Sequence, residues 1–228
     1  MILSYKTILP PAPSRPRETQ GEEKLNFLTH ALGLLLSIVG ATLLVRVARL
    51  YGDFWQVLGC VVYGFCLVAV YAASTLSHAF EHPGRRAFFR TLDQVCIFLL
   101  IAGTYTPFAL VFLREGWWWL LLLAMWLMAL VGIAAKIFYR RADNVATAFY
   151  VLMGWMPVLA ARPLFGRVPG AALLLLAGGV LYTIGTAFLM RDERGRYYHA
   201  VWHLFVIAAS ACHYAAVMLF VVPWPVVR

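Results

Sequence analysis

The sequence of 228 residues predicts an all-α membrane protein, a seven-transmembrane helix bundle with a cytoplasmic N-terminus and an external C-terminus. Hydrophobic residues make up 63% of the chain and charged residues 13%, whereas a soluble domain has about 45–50% and about 25%. Apolar runs of roughly 20 residues, the length that crosses a bilayer core, follow one another along the chain. Lysine and arginine are unequally divided between the loops of the two sides. These observations exclude a water-soluble fold.

The apolar runs define seven predicted spans, each long enough to cross the hydrocarbon core. They cover residues 27–47, 54–80, 94–113, 117–137, 144–161, 170–190 and 199–222. The fifth is the shortest, and it contains Met156 followed by Pro157. Because proline interrupts helical hydrogen bonding, we expect this span to be kinked.

The segment before the first span is rich in proline and does not read as a secretory signal peptide. We expect residues 1–22 to form a disordered cytosolic tail and residues 23–228 to form one transmembrane domain. The four cysteines lie inside apolar runs without a CxxC pair, and we expect them to be buried and reduced. They are Cys60, Cys66, Cys96 and Cys212.

The basic residues predict the orientation of the bundle. One side carries 13 of the 19 lysines and arginines, including those of the N-terminal tail, and the other carries 6. The positive-inside rule therefore places the N-terminus in the cytoplasm. Five tryptophans at the opposite helix ends agree, because aromatic belts mark membrane interfaces; they are Trp55, Trp117, Trp118, Trp119 and Trp224. The net charge of +9 then reflects loop topology, and we expect no nucleic-acid partner.

Polar side chains at the span ends carry the functional signal, because burying them in a membrane costs free energy unless they are partnered. Five of the six histidines lie near the predicted cytoplasmic face. They are His30, His78, His82, His199 and His203. Asp93, at the start of the third span, reaches the same face. Residues from separate spans therefore converge at one depth.

His199 and His203 are four residues apart, which places both imidazoles on one helix face about 6 Å apart. His78 lies at a comparable depth and is the best candidate for a third ligand. Three histidines leave a fourth coordination position open, as in catalytic zinc sites. We predict a Zn²⁺ site formed by these three residues, with Asp93 holding water or orienting a ligand.

Four further side chains have simpler interpretations beside a functional one. Ser74 precedes His78 by four residues, so its hydroxyl lies one turn deeper on the same face, although such a serine often bonds back to its own helix. His82, followed by proline and glycine, is more simply a loop residue, and His30 is either interfacial or functional. His213 lies about 15 Å deeper than His203, and we expect it to hydrogen-bond within the bundle.

Three motifs between residues 23 and 213 connect the chain to a known family. EKLNFLTH contains Glu23, Asn26, Thr29 and His30; STLSHAFEH, followed by LDQVCIFLLIAGTYTP, contains Ser74, His78 and Asp93; and HAVWHLFVIAASACH contains His199, His203 and His213. In order and spacing the chain resembles the hemolysin III family of the progestin and adipoQ receptor superfamily. That superfamily includes the adiponectin receptors and is distantly similar to the alkaline ceramidases.

The resemblance implies seven helices with a cytoplasmic N-terminus and a zinc ion held near the cytoplasmic face by His78, His199 and His203. It places Asp93 at the aspartate that contacts the zinc water and Ser74 at the serine beside the site. The chain differs at Gln94, where many bacterial relatives have histidine, and at Ser77, where tyrosine is frequent. We expect an integral multi-pass protein of the bacterial inner or plasma membrane, surrounded by membrane lipids.

The predicted function is zinc-dependent hydrolysis of a lipid amide or ester, as in a ceramidase. Asp93 is the predicted base or water-orienting group, and Ser74 is predicted to stabilise the oxyanion. Two alternatives remain open: a cytolytic, pore-forming hemolysin in which zinc is structural, and a sensor or regulator of membrane lipid state. The spans lack the repeated charged faces that line a wide aqueous channel, which disfavours an intrinsic pore.

Overall fold

The computed structural model describes residues 19–138, 143–192 and 194–223, and within these ranges it contains helices and no strand. The α-helices are α1 (Gln20–Tyr51), α2 (Phe54–Ala79), α3 (Pro83–Phe112), α4 (Trp119–Phe138), α5 (Asp143–Trp155), α6 (Ala161–Arg167), α7 (Pro169–Leu189) and α8 (Tyr198–Ala216). Short 3₁₀ turns are found at Gly116–Trp118 and Met156–Ala160, and a π-helical turn at Val217–Val221.

Seven helical segments of the described chain are long and apolar enough to cross a membrane, which confirms the predicted fold class. The fifth of them combines α5 and α6 across the 3₁₀ turn Met156–Ala160. Pro157 lies in this turn, where its missing amide hydrogen and fixed φ end the α-helical ladder. The kink predicted for the fifth span is therefore present as a break between two short helices.

Two helices begin well before the apolar runs that predicted them. α1 begins at Gln20 because Thr19 caps it, with the Thr19 hydroxyl accepting from the Glu22 backbone and the Glu22 carboxylate accepting in return. α3 begins at Pro83, directly after the capping side chain of His82. Hydropathy does not reveal these extra turns because they are polar. They bring charged residues onto ordered helix at one end of the bundle.

The helices pack so that α2 and α3 are central. α2 lies between α1 and α3, α4 packs on α3, and α7 runs along α8, which returns to contact α1. Glycine permits two of the close approaches: a side chain at Gly33 of α1 would collide with the Tyr71 ring, and one at Gly185 of α7 would collide with Trp202. Small residues allow membrane helices to approach closely. The ends of α1, α2, α3 and α8 thereby meet.

The remaining expectations concern the surface and the thiols. Arg114 lies over the ring of Trp55, 5.1 Å from its centroid, so α3 ends where α2 begins. Trp117 and Trp119 are exposed, as belt residues require, whereas Trp224 and residues 1–18 lie outside the described residues. All four cysteines are free thiols, as predicted; three are buried and Cys212 is partly buried. The cytoplasmic orientation of the N-terminus stays a prediction from charge.

Candidate metal centre

The structure brings together the three histidines predicted as metal ligands. His78 lies in the last turn of α2, and His199 and His203 lie in the first turns of α8. One ligand atom from each of the three lies within 4.8 Å of the other two. The ring centroid of His78 is 5.3 Å from those of both His199 and His203. Nitrogens this close are able to converge on a single metal ion.

The cluster is buried at the end of the bundle. His203 is 1% exposed, the side chain of His78 is 2% exposed, and that of His199 is 23% exposed. The cluster therefore reaches the surface mainly at His199. Buried imidazoles need polar partners to offset the loss of hydration.

Each of the three rings has an oxygen partner at Nδ1, two of them from α1 and one from the turn before α8. Oε2 of Glu23 lies 3.0 Å from Nδ1 of His78. Oδ2 of Asp192 lies 3.4 Å from Nδ1 of His199. Thr29 Oγ1 lies 3.1 Å from Nδ1 of His203. The three histidines are thus held from outside the cluster.

These partners determine the tautomer of the rings. A carboxylate only accepts hydrogen bonds, so His78 and His199 donate from Nδ1. The Thr29 hydroxyl has one hydrogen, which it donates to the carbonyls of Leu25 and Asn26, both at 2.9 Å, so it accepts from Nδ1 of His203. In the neutral form of each ring, which is the form that binds a metal, Nε2 then carries the lone pair. Oxygen partners at Nδ1 are the usual support of histidines that bind zinc, and this donor set fits that metal.

Asp93 and Ser74 are joined to each other beside the cluster. The Ser74 hydroxyl donates to Oδ2 of Asp93 at 3.1 Å, which links α2 to α3. Ser74 is buried and lies one turn before His78 on α2, as its spacing predicted. The hydroxyl therefore orients the carboxylate in this structure.

Helix α1 supplies more of this site than its motif indicated. Asn26 and His30 are both buried. The His30 ring lies 3.6 Å from the His203 ring between centroids, and 5.3 Å from that of Tyr71. Neither ring nitrogen of His30 has a hydrogen-bond partner among the described residues, nor has Nδ2 of Asn26. His30 is thus a buried side chain packed against the cluster, not an interfacial one.

The other two histidines lie apart from the cluster. His82 is exposed and caps α3 by accepting from the backbone N–H of Gly84 at 3.2 Å, in agreement with its interpretation as a loop residue. His213 donates from Nε2 to the carbonyl of Leu175 on α7 at 3.2 Å, which confirms the hydrogen bond expected within the bundle.

Two charged residues near the cluster were missed from the sequence. Asp192 lies in the turn before α8, seven residues ahead of His199, and Arg86 lies in the first turn of α3 and forms an ion pair with Glu23. An acidic residue shortly before the HxxxH pair was the available signal for Asp192. For Arg86 there was none, because loop arginines are explained by topology alone.

An apolar cavity of about 370 Å³ begins one helical turn from the polar site. Val70 and Ile97 line it, four residues from Ser74 and Asp93 respectively, together with Val206, three residues from His203. Along α7 the lining runs from Thr186 to Ala172, an axial distance of about 21 Å at 1.5 Å per residue. The cavity has the volume of a small-molecule pocket and an apolar wall.

Comparisons with known proteins give consistent matches over nearly the whole chain. A family model described as "Haemolysin-III related" matches residues 19–214. Hemolysin-3 of Bacillus cereus is 41% identical over 204 residues, which are 89% of this chain and 93% of that protein. The hemolysin-3 homolog of Bacillus subtilis (strain 168) is 37% identical over 206 residues, 90% and 96% of the two chains. Human monocyte to macrophage differentiation factor is 31% identical over 223 residues, 91% and 87%.

Proposed function

The chain belongs to the haemolysin-III related family of multi-pass membrane proteins, and from this premise we propose that it is a zinc-dependent hydrolase of a lipid amide or ester. The observation that supports the proposal most strongly is the convergence of His78, His199 and His203, each with an oxygen partner at Nδ1. We further propose the plasma membrane, the inner membrane in a bacterium, as its location.

Zinc held by three histidines would act as a Lewis acid and would lower the pKa of the attacking water towards neutrality. The protein's own contribution begins with Asp93, which in this proposal accepts a proton from the attacking water. Its carboxylate is suited to this because the Ser74 hydroxyl donates to Oδ2, so that the proton is accepted by the other carboxylate oxygen. For Ser74 we propose that its hydroxyl orients Asp93. The oxyanion contact predicted from the sequence is a second proposed role, and it requires the hydroxyl hydrogen to turn away from Asp93.

The cavity supports a substrate with a long apolar segment. Its lining is almost entirely apolar, and it begins one turn from Ser74, Asp93 and His203. A lipid with its acyl chain in this cavity would present its amide or ester bond at the polar end, near the histidines. Transfer of the acyl chain from water into this apolar cavity favours this binding mode through the hydrophobic effect.

The test is metal analysis of the purified full-length protein, paired with turnover of a ceramide and of a phospholipid ester in mixed micelles. We expect about one zinc per chain, loss of the metal in His203→Ala, and product formation that requires both the metal and Asp93. Zinc binding without turnover of either lipid class would contradict the hydrolase proposal.

A second candidate function is cytolysis, and the name hemolysin-3 of the Bacillus cereus relative is the observation that favours it. In that case zinc would be structural. The experiment is leakage of a dye from lipid vesicles reconstituted with the wild type and with His199→Ala. Leakage that persists at equal protein content in the variant supports cytolysis independent of the metal. Absence of leakage in both, with lipid turnover in the wild type alone, supports hydrolysis.

A further inference from the structure

We propose that Glu23 is the positioning residue of His78, holding its imidazole in the orientation and tautomer that the metal needs. The inference rests on the proposed zinc site but not on lipid hydrolysis. The first turn of α1 supplies no ligand, but through Glu23 it contributes directly to metal affinity.

The geometry places Glu23 at the junction of three helices. Its Oε2 accepts from Nδ1 of His78 on α2 at 3.0 Å. Its Oε1 pairs with Arg86 on α3 and lies 3.8 Å from Nη2 of Arg90. The Glu23 side chain is 18% exposed and that of His78 is 2% exposed, so their hydrogen bond is largely shielded from water. Screening by solvent and salt is weak for such a contact.

His78 needs such support because of its place in the fold. It is the penultimate residue of α2, which ends at Ala79, and its ring contacts those of His199 and His203 on α8, so its orientation depends on neighbours from other helices. The arginines occupy one carboxylate oxygen of Glu23 and thereby direct the other towards His78. A carboxylate at Nδ1 raises the basicity of Nε2 and fixes the ring for metal binding.

The chain offers a matched control in the neighbouring residue. Glu22 carries the same charge in the same helical turn, but its carboxylate accepts from Thr19 and from the backbone N–H of Tyr197. Glu22→Gln keeps a side-chain oxygen for the capping box with Thr19, and it therefore removes a negative charge at nearly the same position while the contact between Glu23 and His78 stays in place.

The experiment measures zinc affinity by competition with a chelator on purified full-length protein, for the wild type, Glu23→Ala, Glu23→Gln, Glu22→Gln and Arg86→Met. We expect Glu23→Ala to weaken zinc binding about 10–100-fold. Glu23→Gln keeps an acceptor oxygen but lacks the charge, so its loss should be smaller. Glu22→Gln should bind zinc as the wild type does, and Arg86→Met should lose less affinity than Glu23→Ala because the hydrogen bond to His78 remains.

A spectroscopic measurement separates positioning from general stability. In the cobalt-substituted protein, the visible absorption bands report ligand geometry, and they should shift in Glu23→Ala and stay unchanged in Glu22→Gln. If Glu23→Ala does not fold, the isosteric Glu23→Gln decides the question, since it too should bind zinc less tightly than the wild type. Wild-type zinc affinity in Glu23→Gln and Glu23→Ala, or a loss in Glu22→Gln equal to that in Glu23→Gln, would overturn the inference.

The outcomes also distinguish this inference from the proposed function. If the wild type binds zinc and Glu23→Ala binds it weakly, but no lipid is hydrolysed, the positioning role stands and the hydrolase proposal fails. If lipid is hydrolysed and the Glu23 variants bind zinc normally, the reverse holds. A wild type that binds no zinc overturns both.

Discussion

The Ser74 hydroxyl donates a hydrogen bond to Oδ2 of Asp93 at 3.1 Å, and this bond joins α2 to α3 at the turn that precedes His78. The residues are 19 positions apart in sequence. The pair ties the direction of the Asp93 carboxylate to the helix that carries one of the candidate ligands. Changes at either residue should therefore affect chemistry more than metal content.

For Asp93→Asn, we expect lipid turnover to fall about 10²–10⁴-fold, the usual contribution of a general base, while zinc content stays at the wild-type level. Asparagine still accepts from Ser74, so the helix contact is preserved. Ser74→Ala should lose less activity, because the carboxylate remains. Turnover rates and metal content on the same preparations check both variants. Loss of zinc from Asp93→Asn would show instead that this residue is a ligand.

Replacement of His203 and of His213, which lie ten residues apart on α8, should have different effects on zinc binding. His203→Ala should abolish zinc binding, whereas His213→Ala should retain it, because His213 lies about 15 Å from His203 along α8 and hydrogen-bonds to Leu175 of α7. Metal analysis is the measurement. Saturation with zinc at 100 times its dissociation constant should also stabilise the wild type by about 2.7 kcal/mol, visible as a higher Tm. Retention of zinc in His203→Ala would contradict the assignment of the site.

His30→Leu should leave the Tm of the zinc-free protein unchanged or raise it. His30 is buried with no hydrogen-bond partner at either nitrogen among the described residues, and an unsatisfied buried polar atom costs about 1–3 kcal/mol. Leucine removes that cost with little change in volume. Thermal unfolding in detergent, with His30→Ala as the variant that leaves a cavity, is the check. A Tm several degrees lower for His30→Leu would mean that the imidazole has a stabilising role.

Gly179→Leu should shorten the acyl chains that the protein accepts. Gly179 lines the cavity, and a Cβ placed there has its nearest neighbours, atoms of the Trp155 ring, at 3.9 Å, so a longer side chain extends into free space. Turnover as a function of acyl chain length should fall for long chains and persist for short ones. The control is Gly166→Leu, at an exposed position that does not line the cavity, which should keep the wild-type profile. An unchanged profile in Gly179→Leu would exclude this cavity as the acyl site.

Much of the architecture was predictable because it depends on local properties of the chain. The number of spans follows from runs of apolar residues, and the break at Pro157 follows from the chemistry of proline. The early starts of α1 and α3 were not predictable from hydropathy, because polar caps and charged first turns form them. Those turns carry Glu23 and Arg86, and although the first motif includes Glu23, hydropathy does not place either residue beside His78.

The candidate site was also predictable from the sequence only in part. The i, i+4 spacing of His199 and His203 indicated a shared helix face, and common depth indicated His78 as their companion. The partners of these rings are distant in sequence: Glu23 lies 55 residues from His78, and Thr29 lies 174 residues from His203. Such pairs depend on how each helix is rotated about its axis and how closely it packs. No periodicity within one helix contains that information.

The sequence by itself determined that this is a seven-span membrane protein with scarce polar residues gathered at one predicted depth, because hydropathy and helical spacing are written along the chain. Tertiary structure alone decided that α1 supports two of the candidate ligands, that His30 packs against His203, and that an apolar cavity begins one turn from Asp93. The physical reason is that burial and hydrogen bonding between helices are set by packing, which brings together atoms that sequence separates.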